Sequence, residues 1–150
     1  MISGYVPVKF LHILIAILAL GTSAGLGILL EFYGSNRTHG GFLLRAIRRV
    51  IASFVIPGYA LMLLTGLWMV HLSWPWATVW IRAALVLWGL GVAILCLFLA
   101  ALQRQIRLFD SGGPASAAYR RASLVGRGLG AGLGLVVVGL LYLMVFKPGM

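Results

Sequence analysis

With 150 residues, 62% of them hydrophobic and 9% charged, the chain has room for four membrane crossings joined by short connections and none for a soluble domain. The net charge is +10, but the positive residues flank apolar runs instead of covering a folded basic surface, which excludes nucleic-acid recognition. Two acidic residues at separate positions, Glu31 and Asp110, exclude paired-carboxylate catalysis, and the single cysteine, Cys96, excludes an internal disulfide.

The first apolar run, residues 8–30, carries only Lys9 and His12, both near its start. Thr22-Ser23-Ala24 mimics a signal-peptide cleavage site, yet the run continues to Leu30, so an uncleaved first span is expected. The following loop holds Glu31, Arg37, His39, Arg45, Arg48 and Arg49. Glu31 is expected to pair with a loop arginine and His39 to be solvated. Arg45, Arg48 and Arg49 recur on one helical face, which reads as an amphipathic, interfacial lead-in to the second span. That span, 50–70, has no charge, and Pro57 beside Gly58 predicts a kink within it. The next loop is short, His71 to Trp74, which predicts that spans two and three form an antiparallel pair.

The third span, 77–102, carries only Arg82. A loop with Arg104, Arg107, Arg120, Arg121 and Arg127 follows, with a flexible turn expected at Ser111–Ser116. The fourth span, 127–147, ends at Pro148. The glycines from Gly126 to Gly134 lack the preceding strand and the Lys-Ser/Thr of a phosphate loop. They read, like Gly21 and Gly25, as places for close helix approach in lipid.

Arginine concentrates in loops one and three, which places those loops in the cytoplasm and both termini on the outer, periplasmic side. Tyr5, Trp68, Trp74, Trp76, Trp80 and Tyr142 then fall together on the outer side as an aromatic belt. The expected fold is all-α: one integral-membrane domain, a four-helix antiparallel bundle in a bacterial inner membrane.

Polar groups at membrane depth are costly and mark function. At 100° per residue, His12, Ala16, Ala19, Ser23 and Gly27 share a face of span one. Pro57, Leu64, Trp68 and His71 share one of span two, and Arg82, Val86, Gly89, Ala93 and Cys96 one of span three. The small residues predict that His12 and Arg82 face the bundle interior. His12, His71, Arg82, Lys9 and Lys147 are expected at similar depth, in the outer leaflet. This inventory offers a metal ligand for haem iron (His12), a second candidate (His71) and cations for propionates (Lys9, Arg82). Beside it stand plainer readings: a structural hydrogen bond for His12, an interfacial His71, a carbonyl-bound Arg82, and snorkelling for Lys9 and Lys147. Met69 near His71 is a weak pointer to copper.

The segments Lys9–Gly21 (KFLHILIAILALG), Val50–Val70, Trp80–Leu87 and Leu140–Gly149 (LYLMVFKPG) resemble the four-helix membrane superfamily that contains the HemJ-type protoporphyrinogen oxidases and the CopD copper-resistance domain. Nearest within it is a bacterial family of predicted integral membrane proteins whose last span ends in a Met-Val-x-Lys-Pro-like sequence. The resemblance implies haem b contact for His12, which matches a first-span histidine of the HemJ-type enzymes. Arg82 stands where those enzymes have a lysine, and Leu30-Glu31-Phe32-Tyr33 stands where they have a Tyr-His pair. Arginine keeps its proton and does not replace lysine as a base.

Two functions are therefore carried forward. The first is a non-catalytic accessory subunit that packs against a larger membrane complex or against itself, favoured because the enzyme-like residues are incomplete. The second is a haem b-binding membrane protein handling electrons or porphyrin, in the manner of an oxidoreductase of the protoporphyrinogen oxidase type if it is an enzyme at all.

Overall fold

A computed structural model describes residues 4–149. The chain forms α1 (Tyr5–Tyr33), α2 (Gly40–Val50), a π-helical turn (Ile51–Val55), α3 (Ile56–Ser73), α4 (Val79–Gly112) and α5 (Ala117–Phe146), with no strand among the described residues. Four helices are long and apolar enough to cross a membrane: α1, the continuous run from α2 through α3, α4 and α5. Hydrocarbon offers no partner to a free N–H or C=O, so a chain this apolar closes its backbone bonds within helices.

The helices extend past the apolar runs. α4 has 34 residues, about 50 Å of helix against a hydrocarbon core of about 30 Å. The arginine-rich segment 103–127, expected as a loop, is helical except for the turn at Gly113–Ser116. Gly113 supplies the turn with φ 70°, where a side chain would be strained. Ser116 caps α5, its Oγ accepting the Tyr119 N–H at 3.2 Å. Between α1 and α2, Asn36 Oδ1 accepts the N–H groups of Thr38 and His39, each at 2.9 Å, so the first arginine loop is a defined turn as well.

The irregularity foreseen at Pro57 takes the form of the π turn immediately before it. Proline has no N–H, and its ring crowds the preceding turn. The wider turn absorbs this, and the Ile56 N–H reaches back five residues to the Ile51 carbonyl. Upstream, α2 buries Leu44 and Ile47 while Arg45, Arg48 and Arg49 stay exposed, as the amphipathic lead-in requires.

The close backbone approaches are α4 with α5 and α1 with α3. Spans two and three, expected to pair because their connection is short, contribute side chains to the same two buried cores, while the closest backbone approach of each is to another helix. The reason lies in residue size. Gly126, Gly130, Gly132 and Gly139 of α5 face Gln105, Phe98, Ile94 and Leu87 of α4, and Gly91 of α4 faces Val136 of α5, so large side chains of one helix sit over small residues of the other. On the α1–α3 side, a Cβ on Gly58 would stand 2.8 Å from the Cβ of Ala19. Gly21 and Gly25, expected to serve the same purpose, have nothing within 4 Å of an added Cβ and support no helix contact.

At the arginine-rich end of the bundle both carboxylates are engaged. Glu31 pairs with Arg127 at 2.9 Å, as foreseen for a loop arginine, and Asp110 pairs with Arg45 at 3.0 Å. The buried Tyr119 hydroxyl donates to the Gly34 carbonyl, and buried Gln105 Nε2 donates to the Ala122 carbonyl at 3.0 Å. These bonds tie the turn after α1 to α5, and α4 to α5, among the most deeply buried side chains of the bundle, Leu44, Leu102 and Tyr119. At the other end, Trp74 and Trp80 pack edge to face at 5.5 Å.

Gly58→Val forces α1 off α3 and is expected to lower stability in detergent by about 1–3 kcal/mol. Gly25→Ala, which meets nothing, is expected not to lower it; thermal unfolding of the two purified variants beside the wild type checks both.

Candidate functional site

His12 sits in the second turn of α1 on the face that meets α3. Its Nδ1 lies 2.8 Å from Thr65 Oγ1. The Thr65 hydroxyl already turns back to the carbonyls of Leu61 (2.8 Å) and Met62 (3.1 Å). When the single hydroxyl hydrogen goes to one of these carbonyls, the Thr65 oxygen accepts from His12 and Nδ1 carries the ring proton. The lone pair is thereby assigned to Nε2, the arrangement found where a second group orients a ligating imidazole. Gly66 makes the room: a Cβ there would stand 3.2 Å from His12 Cε1.

The imidazole lines a cavity of about 770 Å³ between α1, α3, α4 and α5, within the roughly 300–1,000 Å³ of small-molecule sites. Its wall is overwhelmingly apolar. Three thioethers, Met62, Met69 and Met144, line it together with the indoles of Trp74, Trp80 and Trp88. Trp80 and Trp88 keep buried Nε1–H groups with no partner among the described residues.

Two cations line the same cavity, Lys9 and Lys147. Lys147 follows the last turn of α5 with φ 43° and is the one non-glycine residue with positive φ among the described residues. Left-handed backbone costs a side chain about 1–2 kcal/mol. Pro148, next in the chain, disfavours a further helical turn at Lys147. The result folds the lysine back, with Nζ 4.7 Å from the Trp74 ring centre. What reads in the sequence as a snorkelling lysine is held inward by a specific backbone turn.

Of the residues singled out from the sequence, His12 and Lys9 come together on this cavity and His71 and Arg82 do not. His71 is exposed in the last turn of α3, not in a loop, on the same outward face as Leu64 (61% exposed) and Trp68 (58%). Arg82 is exposed with Val86 (72%), Gly89 and Cys96, which corrects the expectation that this small-residue face looks inward. The buried stripe of α4 runs through Trp80, Ala84, Gly91, Leu95, Phe98 and Leu102. Its large side chains meet the glycines of α5, so the small-residue signal for that contact lay on the partner helix. Thr65 and Lys147 are the site residues whose roles the sequence did not disclose. Thr65 carries no charge to draw notice, and the left-handed turn at Lys147 has no sequence mark beyond the proline after it.

No group of three or more His, Cys, Asp or Glu side chains that could hold a metal ion occurs among the described residues. The Met69–His71 pointer to copper is divided, since Met69 lines the cavity and His71 does not. A planar, apolar ligand with anionic edges suits the chemistry of the cavity: one imidazole lone pair, thioethers and indoles along the wall, and two ammonium groups.

Residues 6–148 fit the family model described as "Predicted integral membrane protein (DUF2269)". No curated protein and no solved structure matches the chain.

Thr65→Val removes the acceptor of the His12 Nδ1–H. Nitrogen NMR of labelled protein is expected to show His12 as the Nδ1–H tautomer in the wild type, and a mixture of tautomers in the variant.

Proposed function

The chain belongs to this family of predicted integral membrane proteins (DUF2269), and from that premise we propose that it is a haem b-binding protein of the bacterial inner membrane, handling electrons or porphyrin rather than catalysing a hydrolytic reaction. The observation that carries the reading is His12, oriented by Thr65 with its lone pair on Nε2, on an apolar cavity of about 770 Å³ that Lys9 and Lys147 also line. His12 would hold the haem through its imidazole, and Lys9 and Lys147 would offset the charge of its carboxylates. His71 and Arg82, outside the cavity, have no part in it. Haem supplies one-electron chemistry when bound. The protein holds the imidazole in one tautomer, keeps water away with an indole- and thioether-lined wall, and offsets anionic charge at the membrane boundary.

In this reading the helices run as an antiparallel bundle. The arginine end faces the cytoplasm and the tryptophan end the outer side, because cytoplasmic loops collect Lys and Arg. The cavity then lies in the outer leaflet.

A second reading keeps the chain as a non-catalytic accessory subunit that packs against a larger membrane complex or a copy of itself. It is favoured by α1, in which Ala19 alone is buried while Phe10 (68% exposed), Ile17 (64%) and Phe32 (75%) face outward.

Purified protein incubated with haem b is expected to develop a Soret band. His12→Ala is expected to abolish it, and Lys147→Gly, which tolerates the left-handed turn but lacks the ammonium group, to weaken haem affinity by roughly fivefold. A colourless wild type that co-purifies with other membrane proteins supports the accessory reading instead.

A further inference from the structure

A second cavity, of about 420 Å³, opens between α1 and α5 toward the arginine end and is floored by the π turn and α4. It shares Leu20 and Val137 with the cavity at His12, so one crevice runs along the bundle between two helices that scarcely touch. Gly27 and Gly134 line it from opposite sides, and a Cβ on either meets nothing within 4 Å. Neither glycine serves a helix contact, and together they leave the crevice wide. Its lining is almost wholly apolar up to the mouth, where Glu31 and Arg127 stand paired at 2.9 Å.

The mouth is strongly biased in charge. Arg127 spends its Nε–H on Glu31, which leaves its terminal nitrogens as donors. Arg120 lies seven residues before it, two turns along the same side of α5, and is exposed. Both carboxylates at this end are already engaged, Glu31 with Arg127 and Asp110 with Arg45, so the remaining arginine charge has no protein counterion. A slot for one hydrocarbon chain, with Arg127 at its mouth and Arg120 two turns away on the same side of α5, has the complement of a phosphodiester with an acyl tail.

We propose that the α1–α5 crevice binds one acyl chain of an anionic phospholipid, with the lipid phosphate held by Arg127 and Arg120. The lipid fills the gap that α1 and α5 leave and makes the arginine end a headgroup-selective site. Glu31 competes with the phosphate for Arg127 and tempers the affinity. The arginine end of the site does not include His12, so its headgroup selectivity stands or falls apart from the haem reading.

Delipidated protein is titrated with phosphatidylglycerol, with phosphatidylcholine and with inorganic phosphate, and binding is read by native mass spectrometry. One phosphatidylglycerol is expected to bind more tightly than phosphatidylcholine. Arg120→Gln with Arg127→Gln is expected to erase the difference, at roughly fivefold in affinity per arginine. Glu31→Gln is expected to tighten phosphatidylglycerol binding, whereas a purely structural ion pair predicts loss. Gly134→Leu, or Gly27→Leu should the first fail to fold, fills the slot and is expected to remove the tight site for both lipids. His12→Ala is expected to leave it unchanged. Equal affinity for the two lipids, inorganic phosphate matching phosphatidylglycerol, indifference to both glycine variants, or a dimer whose second copy occupies the crevice would each overturn the assignment.

Discussion

Hydrocarbon as solvent is the constraint from which the rest of this structure follows. A backbone amide inside a bilayer finds no water, so each crossing must close its own hydrogen bonds, and four long helices are the outcome. The same constraint governs how the chain breaks that regularity. At Pro57 an ordinary α-turn cannot be completed, and the preceding segment widens into a π turn that recovers the bond from Ile56 to Ile51. The turn carries Ile51 and Val55 into the core. A proline that would merely bend a helix in water here sets a local packing surface against α1.

The second consequence concerns how helices find each other. Lipid gives no reason to bury one apolar side chain in preference to another, so contact goes to surfaces that fit closely. Glycines of α5 receive large side chains of α4, and Gly58 receives Ala19. Each pair is tight within itself, and the space left between the pairs is lined by whatever side chains remain there. His12 faces that space because α1 is paired with α3, and it holds one orientation because Thr65 lies across the same contact. Packing and site are thus one arrangement: the contact that holds α1 also aims the imidazole.

Much of this was legible in the sequence. The four spans follow from long apolar runs nearly free of charge, the amphipathic lead-in from Arg45, Arg48 and Arg49, and the pairing of Glu31 with a loop arginine from the arginines that follow it. His12 stood out because imidazole is rare at that depth. Periodicity failed for span three. Val86, Gly89 and Ala93 are small and share a face with Arg82, yet that face is exposed, since a small-residue stripe shows that a close contact is feasible without naming which of two helices supplies the small side. The extent of α4 was also illegible. Arg104 and Arg107 mark where hydrocarbon ends, and a helix does not end there when Gln105 and Phe109 can hold it to α5. Lys147 shows a related limit: charge and depth give its position, but the left-handed turn that sets its direction is a backbone event.

The length of α4 bears on how the molecule rides in its bilayer. Its arginine-bearing end is a helical collar pinned by Arg45–Asp110, Arg127–Glu31 and the Tyr119–Gly34 bond, not a set of slack tethers. A collar of this kind cannot sink, and tryptophans hold the far rim. Thinning of the surrounding lipid is then met by tilting the whole body, because neither rim has slack chain to give up.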